Sequence, residues 1–330
     1  MTHPVAMVEI WRGGFLESQH MGHAVVCNAD GEVLEAWGDP EKVILPRSSC
    51  KMLQALPLIE SGASEAYGLG SEHLALACAS HQGAAIHRTR VTNWLDHIGL
   101  DDSAFRCGPQ KPSDTDEYHQ LILAGETPCQ YHNNCSGKHS GFLTLAKHLG
   151  AGPEYVDPDH PVQLAVREAF EDMTGMTSPG FGIDGCSAPN FATKLSAFGT
   201  SLARMTRWDD SARGKAAKSL VEAMMLHPEL VAGEGRACTN LMRAMNGRAA
   251  IKTGAEAVFA AMLPEKGLGI AVKIADGSTR AAEAAITGLL VRYDALDGNH
   301  QMAQKYITGP IKNWRGTITG EMKLAPTFIS

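Results

Sequence analysis

The chain has 330 residues, enough for one large hydrophobic core or two smaller ones at roughly 100–200 residues per domain. Its residues are 44% hydrophobic and 20% charged, the composition of an ordinary globular protein, which excludes a disordered chain. The 29 Lys and Arg against 36 Asp and Glu leave a net charge of −7 with no basic run, which argues against nucleic acid or an anionic membrane as partner.

Taken in chain order, Met1–Met7 lacks the basic region of a signal peptide, and no stretch approaches ~18 apolar residues, so a cytoplasmic location is expected. Apolar runs at Val5–Ile10, Ala24–Cys27 and Glu32–Trp37 read as strands, the last two joined by the hairpin turn Asn28-Ala-Asp-Gly31. Pro46-Arg-Ser-Ser-Cys-Lys51 opens a helix with Ser48 as its cap. Further helices are predicted over 71–79, 87–98, 137–149, 160–174 and 209–226, the last ended by His227-Pro228. Ala250–Met262 and Leu268–Ile274 flank Pro264-Glu-Lys-Gly267 as a second hairpin, a helix covers 278–293, and Trp314–Leu324 supplies a last strand.

Strands at both ends with helices between them predict an α/β (α+β) fold, in which N- and C-terminal strands share one antiparallel sheet covered by helices. There is no Gly-x-Gly-x-x-Gly after a strand and no Walker loop, so nucleotide-binding folds have no support. Eight cysteines in a chain without an export signal are expected to be thiols or ligands rather than disulfides. Cys27, Cys50, Cys78, Cys107 and Cys129 read as core residues, and Cys238 has no assigned role.

Ser48-x-x-Lys51 places a hydroxyl and an amine one helical turn apart. A capping serine followed by a solvated lysine gives the same pattern, so the pair gains meaning only from Ser80, before His81-Gln82-Gly83, and from Lys252-Thr253-Gly254 in a strand context. That order is similar to serine β-lactamases and penicillin-binding proteins. A serine attacks an acyl carbon only if a base takes its proton, and a lysine does so only when neutral. From about 10.4, half-neutrality at pH 7 needs a shift of about 3.4 units, or ~4.6 kcal/mol. A second ammonium at about 6 Å with an effective dielectric near 20 contributes ~2.8 kcal/mol, a physical reason for Lys252 to stand near Lys51.

Cys135 and Lys138, in Asn134-Cys-Ser-Gly-Lys-His139, also lie one turn apart, and Asp184-Gly-Cys186 ends a strand-like run. These fall short of paired Cys-x-x-Cys zinc hooks.

Together, Pro46-Arg-Ser-Ser-Cys-Lys51, Ala79-Ser-His-Gln-Gly83, Asn134-Cys-Ser-Gly-Lys-His139, Ile183-Asp-Gly-Cys186, Val231-Ala-Gly and Lys252-Thr-Gly-Ala-Glu256 resemble the signature blocks of the Rhizobium etli-type (class 3) L-asparaginases. The resemblance implies hydrolysis of L-asparagine to L-aspartate and ammonia, a fold similar to serine β-lactamases and glutaminases, and a homodimer. It implies catalytic tandems at Ser48 with Lys51 and at Ser80 with Lys252. It also implies a Zn²⁺ site at Cys135, Lys138 and Cys186, with Asp184, His139 and Arg47 as substrate-binding residues. Which serine attacks first stays open. One catalytic domain over residues 1–330 is expected, because Ser48 and Lys252 would have to meet. A penicillin-recognising or esterase-like serine hydrolase explains the Ser–Lys pairs but not the Cys–Lys–Cys group. A noncatalytic zinc-binding protein explains the reverse.

Overall fold

The computed structural model describes residues 3–329. Along the chain run β1 (Val5–Arg12), β2 (Phe15–Asn28), β3 (Val33–Trp37), α1 (Lys51–Glu60), α2 (Ser71–Ala77), α3 (Ala85–His97), α4 (Thr115–Ala124), α5 (Ser136–His148) and α6 (Pro161–Thr174). They continue with α7 (Leu195–Arg204), α8 (Ala212–Leu226), α9 (Ala237–Met245), β4 (Ala250–Thr253), β5 (Val258–Leu263), β6 (Leu268–Ile274), α10 (Thr279–Arg292), α11 (Gln301–Ile307), β7 (Pro310–Lys312) and β8 (Ile318–Leu324). Short helical turns and two-stranded ladders fill the gaps.

The chain divides into two compact units. One comprises the described residues of Met1–Ser49, Thr193–Arg207 and Asn240–Ser330; the other comprises Cys50–Ala192 and Trp208–Thr239. The first holds the sheet, in the order β7-β8-β1-β2-β6-β5-β4, with β3 also paired to β2. Its pairings are antiparallel, and the N-terminal pair β1-β2 lies between two groups of C-terminal strands, so both ends of the chain share one sheet as the sequence pattern predicts.

Successive residues of a strand point to opposite faces, yet Ala24, Val25, Val26 and Cys27 of β2 are all fully buried, so both faces of the central strands are covered. Helix α7 packs on β2, β5 and β6, while α10 packs on β5, β6, β1 and β8. The approach of α7 is backbone to backbone: a methyl group on Gly269 would lie 2.2 Å from Gly199 O and 2.3 Å from Ala203 N. That requirement explains an element the sequence pattern did not show, since a glycine in mid-helix costs about 1 kcal/mol and hides α7 from propensity reasoning.

The run 250–262 is not one strand. Gly254 ends β4, and Glu256 and Ala257 both take positive φ (55° and 56°), so the chain turns and β5 pairs back on β4 with Lys252 opposite Ala260. Other predicted elements stand with moved ends: β2 begins at Phe15 rather than Ala24, α1 begins at Lys51 with Cys50 rather than Ser48 in the cap position, the helix begun at Ser71 stops at Ala77, and the last strand starts at Ile318, leaving Trp314 in an exposed turn.

The second unit is helical. Helix α1 packs on α5, α6 and α8, and α2 packs on α5 and α8. Among the described residues no helix is long and apolar enough to cross a membrane.

Gly269→Ala is expected to destabilise the fold by about 3 kcal/mol, because the new methyl meets backbone rather than a movable side chain. Urea denaturation checks this; a midpoint equal to that of the unmutated chain would contradict the close-packing account.

Candidate active site

In the helical unit, Lys51 begins α1 and is 1% exposed. Its Nζ donates to the carbonyl of Ala79 and, at 3.1 Å, to Cys135 Sγ. Ala79 precedes Ser80, whose backbone N–H is tied to Val231 O at 2.9 Å. The Ser80 hydroxyl is buried and has no hydrogen-bond partner among the described residues. Buried hydroxyls are nearly always paired, which marks this one as a group with a partner yet to come.

Cys135 caps α5. Its N–H donates to Asn133 Oδ1 at 2.8 Å, and Asn133 is itself anchored by donation to Cys107 O and Gly108 O, both at 2.9 Å. Glycine is required at position 137 because a methyl there would lie 2.4 Å from Leu76 O. The contact presses the start of α5 onto α2 and so fixes where Cys135 and Lys138 point. Cys186 arrives from the other side on a turn closed by Ser187 N–H to Asp184 O at 2.8 Å, with Ser187 at φ 70°.

Lys138 Nζ sits 3.1 Å from Cys186 Sγ. The interaction between the two sulfurs pushes Cys186 well below the ordinary thiol range and, with burial, Cys135 well above it. Burial would lower Lys138, but the sulfurs outweigh it and raise it. The group is therefore a buried ammonium beside a thiolate.

His139, fully buried, is neutral, held at about 4 by burial against the pull of Cys186. Tyr155 OH accepts the Arg106 N–H at 2.8 Å, so its own proton goes to His139 Nδ1, also at 2.8 Å. That leaves the hydrogen of His139 on Nε2. Tyr155 and Arg106 carry no motif and were not foreseen. His81 is fixed likewise: Nδ1 accepts from Gly83 N–H at 3.1 Å, and Nε2 donates to Ser136 Oγ at 3.0 Å, beside Cys135. His81 lies inside a quoted motif, and a histidine next to Ser80 was the available signal.

Asp184, half-buried, accepts its neighbour Gly185 N–H at 2.8 Å, so it serves at least as a turn residue.

In the sheet unit, Arg47 takes φ 54°, an uncommon conformation for a residue with a side chain, immediately before Ser48. Ser49 closes the turn by donating from N and Oγ to Pro46 O at 3.2 and 2.6 Å, and Ser48 is left half-buried. Lys252 is fully buried on β4, the edge strand, and donates to Thr253 O at 2.9 Å. The strand end lies against the Ser48 turn: a methyl on Gly254 would be 2.7 Å from Pro46 O and 3.1 Å from Ser49 N. So the Lys-Thr-Gly segment and the Ser48 turn are neighbours, while Lys51, Ser80, Cys135, Lys138, His139, Asp184 and Cys186 belong to the helical unit.

None of the eight cysteines, all of them among the described residues, is joined in a disulfide. Cys27, Cys50, Cys78 and Cys107 are buried, as expected of core residues, but Cys129 is not: it is only half-buried, because it caps a short turn (Gln130–His132) instead of lying on a packed face. Cys238 is buried. Among the described residues no three His, Cys, Asp or Glu side chains are placed to hold a metal. The Cys135, Lys138 and Cys186 set contains two such residues and an amine.

A hydroxyl or thiol beside an amine is one of the arrangements with which acyl groups can be displaced. The model of the L-asparaginase II family matches residues 8–324, nearly the whole length, and the chain belongs to that family. It is an amidohydrolase acting on asparagine. No curated protein matches it. Similar solved structures include a β-lactamase from Mycobacterium bovis, at 15% identity over 83% of this chain and 95% of that one, with a TM-score of 0.45. Mglu in its native form is 12% identical over 84% of this chain and 66% of that one, with a TM-score of 0.47. An octameric penicillin-binding protein homologue from Pyrococcus abyssi is 11% identical over 90% and 80%, with a TM-score of 0.39.

The buried neutral histidines give a pH dependence. Burial lowers both His87 and His139, so below about 6.5 the unfolded chain takes up protons that the native one refuses. Stability is full above about 6.5 and falls as pH drops, the His139 share ending near 4. From that value His139 alone removes about 2 kcal/mol by pH 5. Urea midpoints at pH 7 and pH 5 check this, and equal midpoints would contradict it.

Proposed function

We propose that the chain hydrolyses L-asparagine to L-aspartate and ammonia through a serine acyl-enzyme, with Ser48 as nucleophile and Lys51 as its base. The observation that carries the proposal is Lys51 itself: one turn after Ser48, it is 1% exposed and held by a backbone carbonyl and a cysteine sulfur. A buried lysine can give up its proton and act as a general base. Ser48 Oγ attacks the side-chain amide carbon and Lys51 takes its proton. Ser80, whose hydroxyl is unpaired among the described residues, passes a proton with Lys252 to the departing ammonia. Water then hydrolyses the ester and restores Ser48. Asp184 suits the α-ammonium of the substrate, a charge-assisted contact. His139, with its hydrogen on Nε2, suits an anionic or carbonyl oxygen, and Arg47 suits the α-carboxylate.

The donor chemistry at Cys135, Lys138 and Cys186 fits Zn²⁺ once Lys138 loses its proton to the incoming ion: two sulfurs and one amine nitrogen lie in a buried place, and soft sulfur donors favour zinc. When bound, zinc would act as a Lewis acid that orients the amino or carboxylate end of the substrate. Two thiolates cancel its charge, which is a reason to give nucleophilic attack to Ser48. In this reading residues 1–330 work as one catalytic domain and the chain as a homodimer.

Ammonia release from Asn and from Gln, with and without added zinc, tests the proposal. Ser48→Ala and Lys51→Ala should each lose at least about 10³-fold in kcat on Asn. Near-normal turnover by Ser48→Ala, with Cys135→Ala inactive but folded, would overturn the assignment of the nucleophile. The metal assignment has its own readout: Cys135→Ser and Cys186→Ser should lose bound zinc, measured by mass, from a chain that otherwise carries about one equivalent.

A further inference from the structure

Outside the residues assigned to asparagine hydrolysis, the helical unit contains a second nucleophile-and-base arrangement. Cys129 Sγ lies 3.2 Å from His132 Nδ1. The backbone N–H of Cys129 donates to the same nitrogen at 3.1 Å, which keeps Nδ1 in its lone-pair form and puts the ring hydrogen on Nε2. His132 is 4% exposed, and its Nε2 makes no hydrogen bond among the described residues. The nearest anion is Glu117 Oε1 at 3.6 Å, itself 7% exposed and bonded to Arg88 Nε at 2.5 Å. A thiol, an imidazole and a buried carboxylate thus stand in line, the order in which a base and its orienting anion activate a nucleophile.

Two further observations narrow the chemistry. The imidazole engages Cys129 with one edge and faces Glu117 with the other, so the three cannot converge on a metal ion, in agreement with the lack of any three-ligand group among the described residues. Of the eight thiols, Cys129 is the one that is not buried. Burial of its inner side, with Asp102 nearby, holds the thiol in its protonated form, so attack requires a base rather than a resting thiolate.

The geometry points to Cys129 as a site of mixed-disulfide formation with low-molecular-weight disulfides, His132 acting as base. In the step, the Cys129 S–H proton moves to His132 Nδ1 and the resulting imidazolium is stabilised by Glu117. The Cys129 sulfur forms a new S–S bond to one sulfur of the disulfide, whose own S–S bond breaks. The leaving thiolate takes the proton from His132 and departs as a thiol. Cys129 is oxidised and the leaving sulfur is reduced.

The site is wired to the metal-ligand candidate Cys135. His132 is followed by Asn133, whose Oδ1 holds the Cys135 N–H. A disulfide on Cys129 displaces His132 from its cap at the head of the 130–132 turn, so thiolation is expected to lower asparagine turnover and reduction to restore it.

The experiment treats the full native chain with oxidised glutathione and maps adducts by peptide mass. Cys129 is expected to be thiolated at least about tenfold faster than any other cysteine. His132→Gln keeps an acceptor for the Cys129 N–H but takes no proton, and it should slow thiolation about tenfold with thermal stability retained. Glu117→Gln should slow it severalfold. Asparagine turnover of the adduct should fall at least twofold and return with dithiothreitol, while Cys129→Ser, outside the asparaginase machinery, should be insensitive. Equal thiolation rates among the cysteines, or an unchanged rate in a folded His132→Gln, would overturn the assignment of base and nucleophile. Unchanged turnover of a fully thiolated chain would overturn the coupling to Cys135. The mass readout is independent of which residues hydrolyse asparagine.

Discussion

In the helical unit Lys51 and Lys138 are both buried against cysteine sulfurs. Taking an ammonium out of water costs several kcal/mol unless partners replace the lost hydration, and removing one partner of such a pair typically costs 3–5 kcal/mol. Cys186 answers that cost for Lys138 as a thiolate at 3.1 Å, while Cys135 and the Ala79 carbonyl receive Lys51. The contact of Gly137 with Leu76 O determines whether α5 can come close enough to α2 for these groups to meet.

Around this core, backbone groups set the protonation of the histidines. Arg106 N–H orients Tyr155, Tyr155 orients His139, and Gly83 N–H orients His81. Each chain of donors ends in a ring hydrogen with a defined direction, at Ser136 for His81 and on Nε2 for His139. A tautomer fixed by a main-chain donor does not depend on pH until the ring itself is protonated, and burial delays that for His139 to about 4. Arg47 and Ser187 add local strain at positive φ, one next to Ser48 and one next to Cys186. Such strain persists where the surrounding structure over-determines a conformation, and it clusters at working sites.

Much of the architecture was legible. The apolar runs in β1, β2 and β3, the Asn28–Gly31 turn and the long helical runs gave most elements within a few residues of those observed, although β2 starts well before Ala24, at Phe15. The helices at 115–124, 195–204, 237–245 and 301–307 escaped, the one at 195–204 because Gly199 weakens helical propensity and is explained only by its contacts with Cys27 and Val25. The Ala250–Met262 run read as one strand because its composition is continuous; the break comes from backbone angles at Glu256 and Ala257 that side-chain type does not announce. Of the residues the motifs single out, Lys51, Ser80, Cys135, Lys138 and Cys186 all lie in the helical unit, whereas Tyr155 and the turn capped by Cys129 carry no motif.

The sequence by itself determined the reagents: which hydroxyls, amines and thiols the chain has, their one-turn spacings at 48–51 and 135–138, and the family to which those blocks belong. Spacing along a helix is local geometry, fixed by a 3.6-residue turn, and so survives in the order of residues. What only the tertiary structure decided is which of these groups are desolvated and what each one faces. Lys51 and Cys135 are 84 residues apart, and their 3.1 Å contact exists because α1, α2 and α5 pack together. Burial, and the charge state that follows from it, is a property of neighbours brought from distant parts of the chain, and no local pattern encodes it.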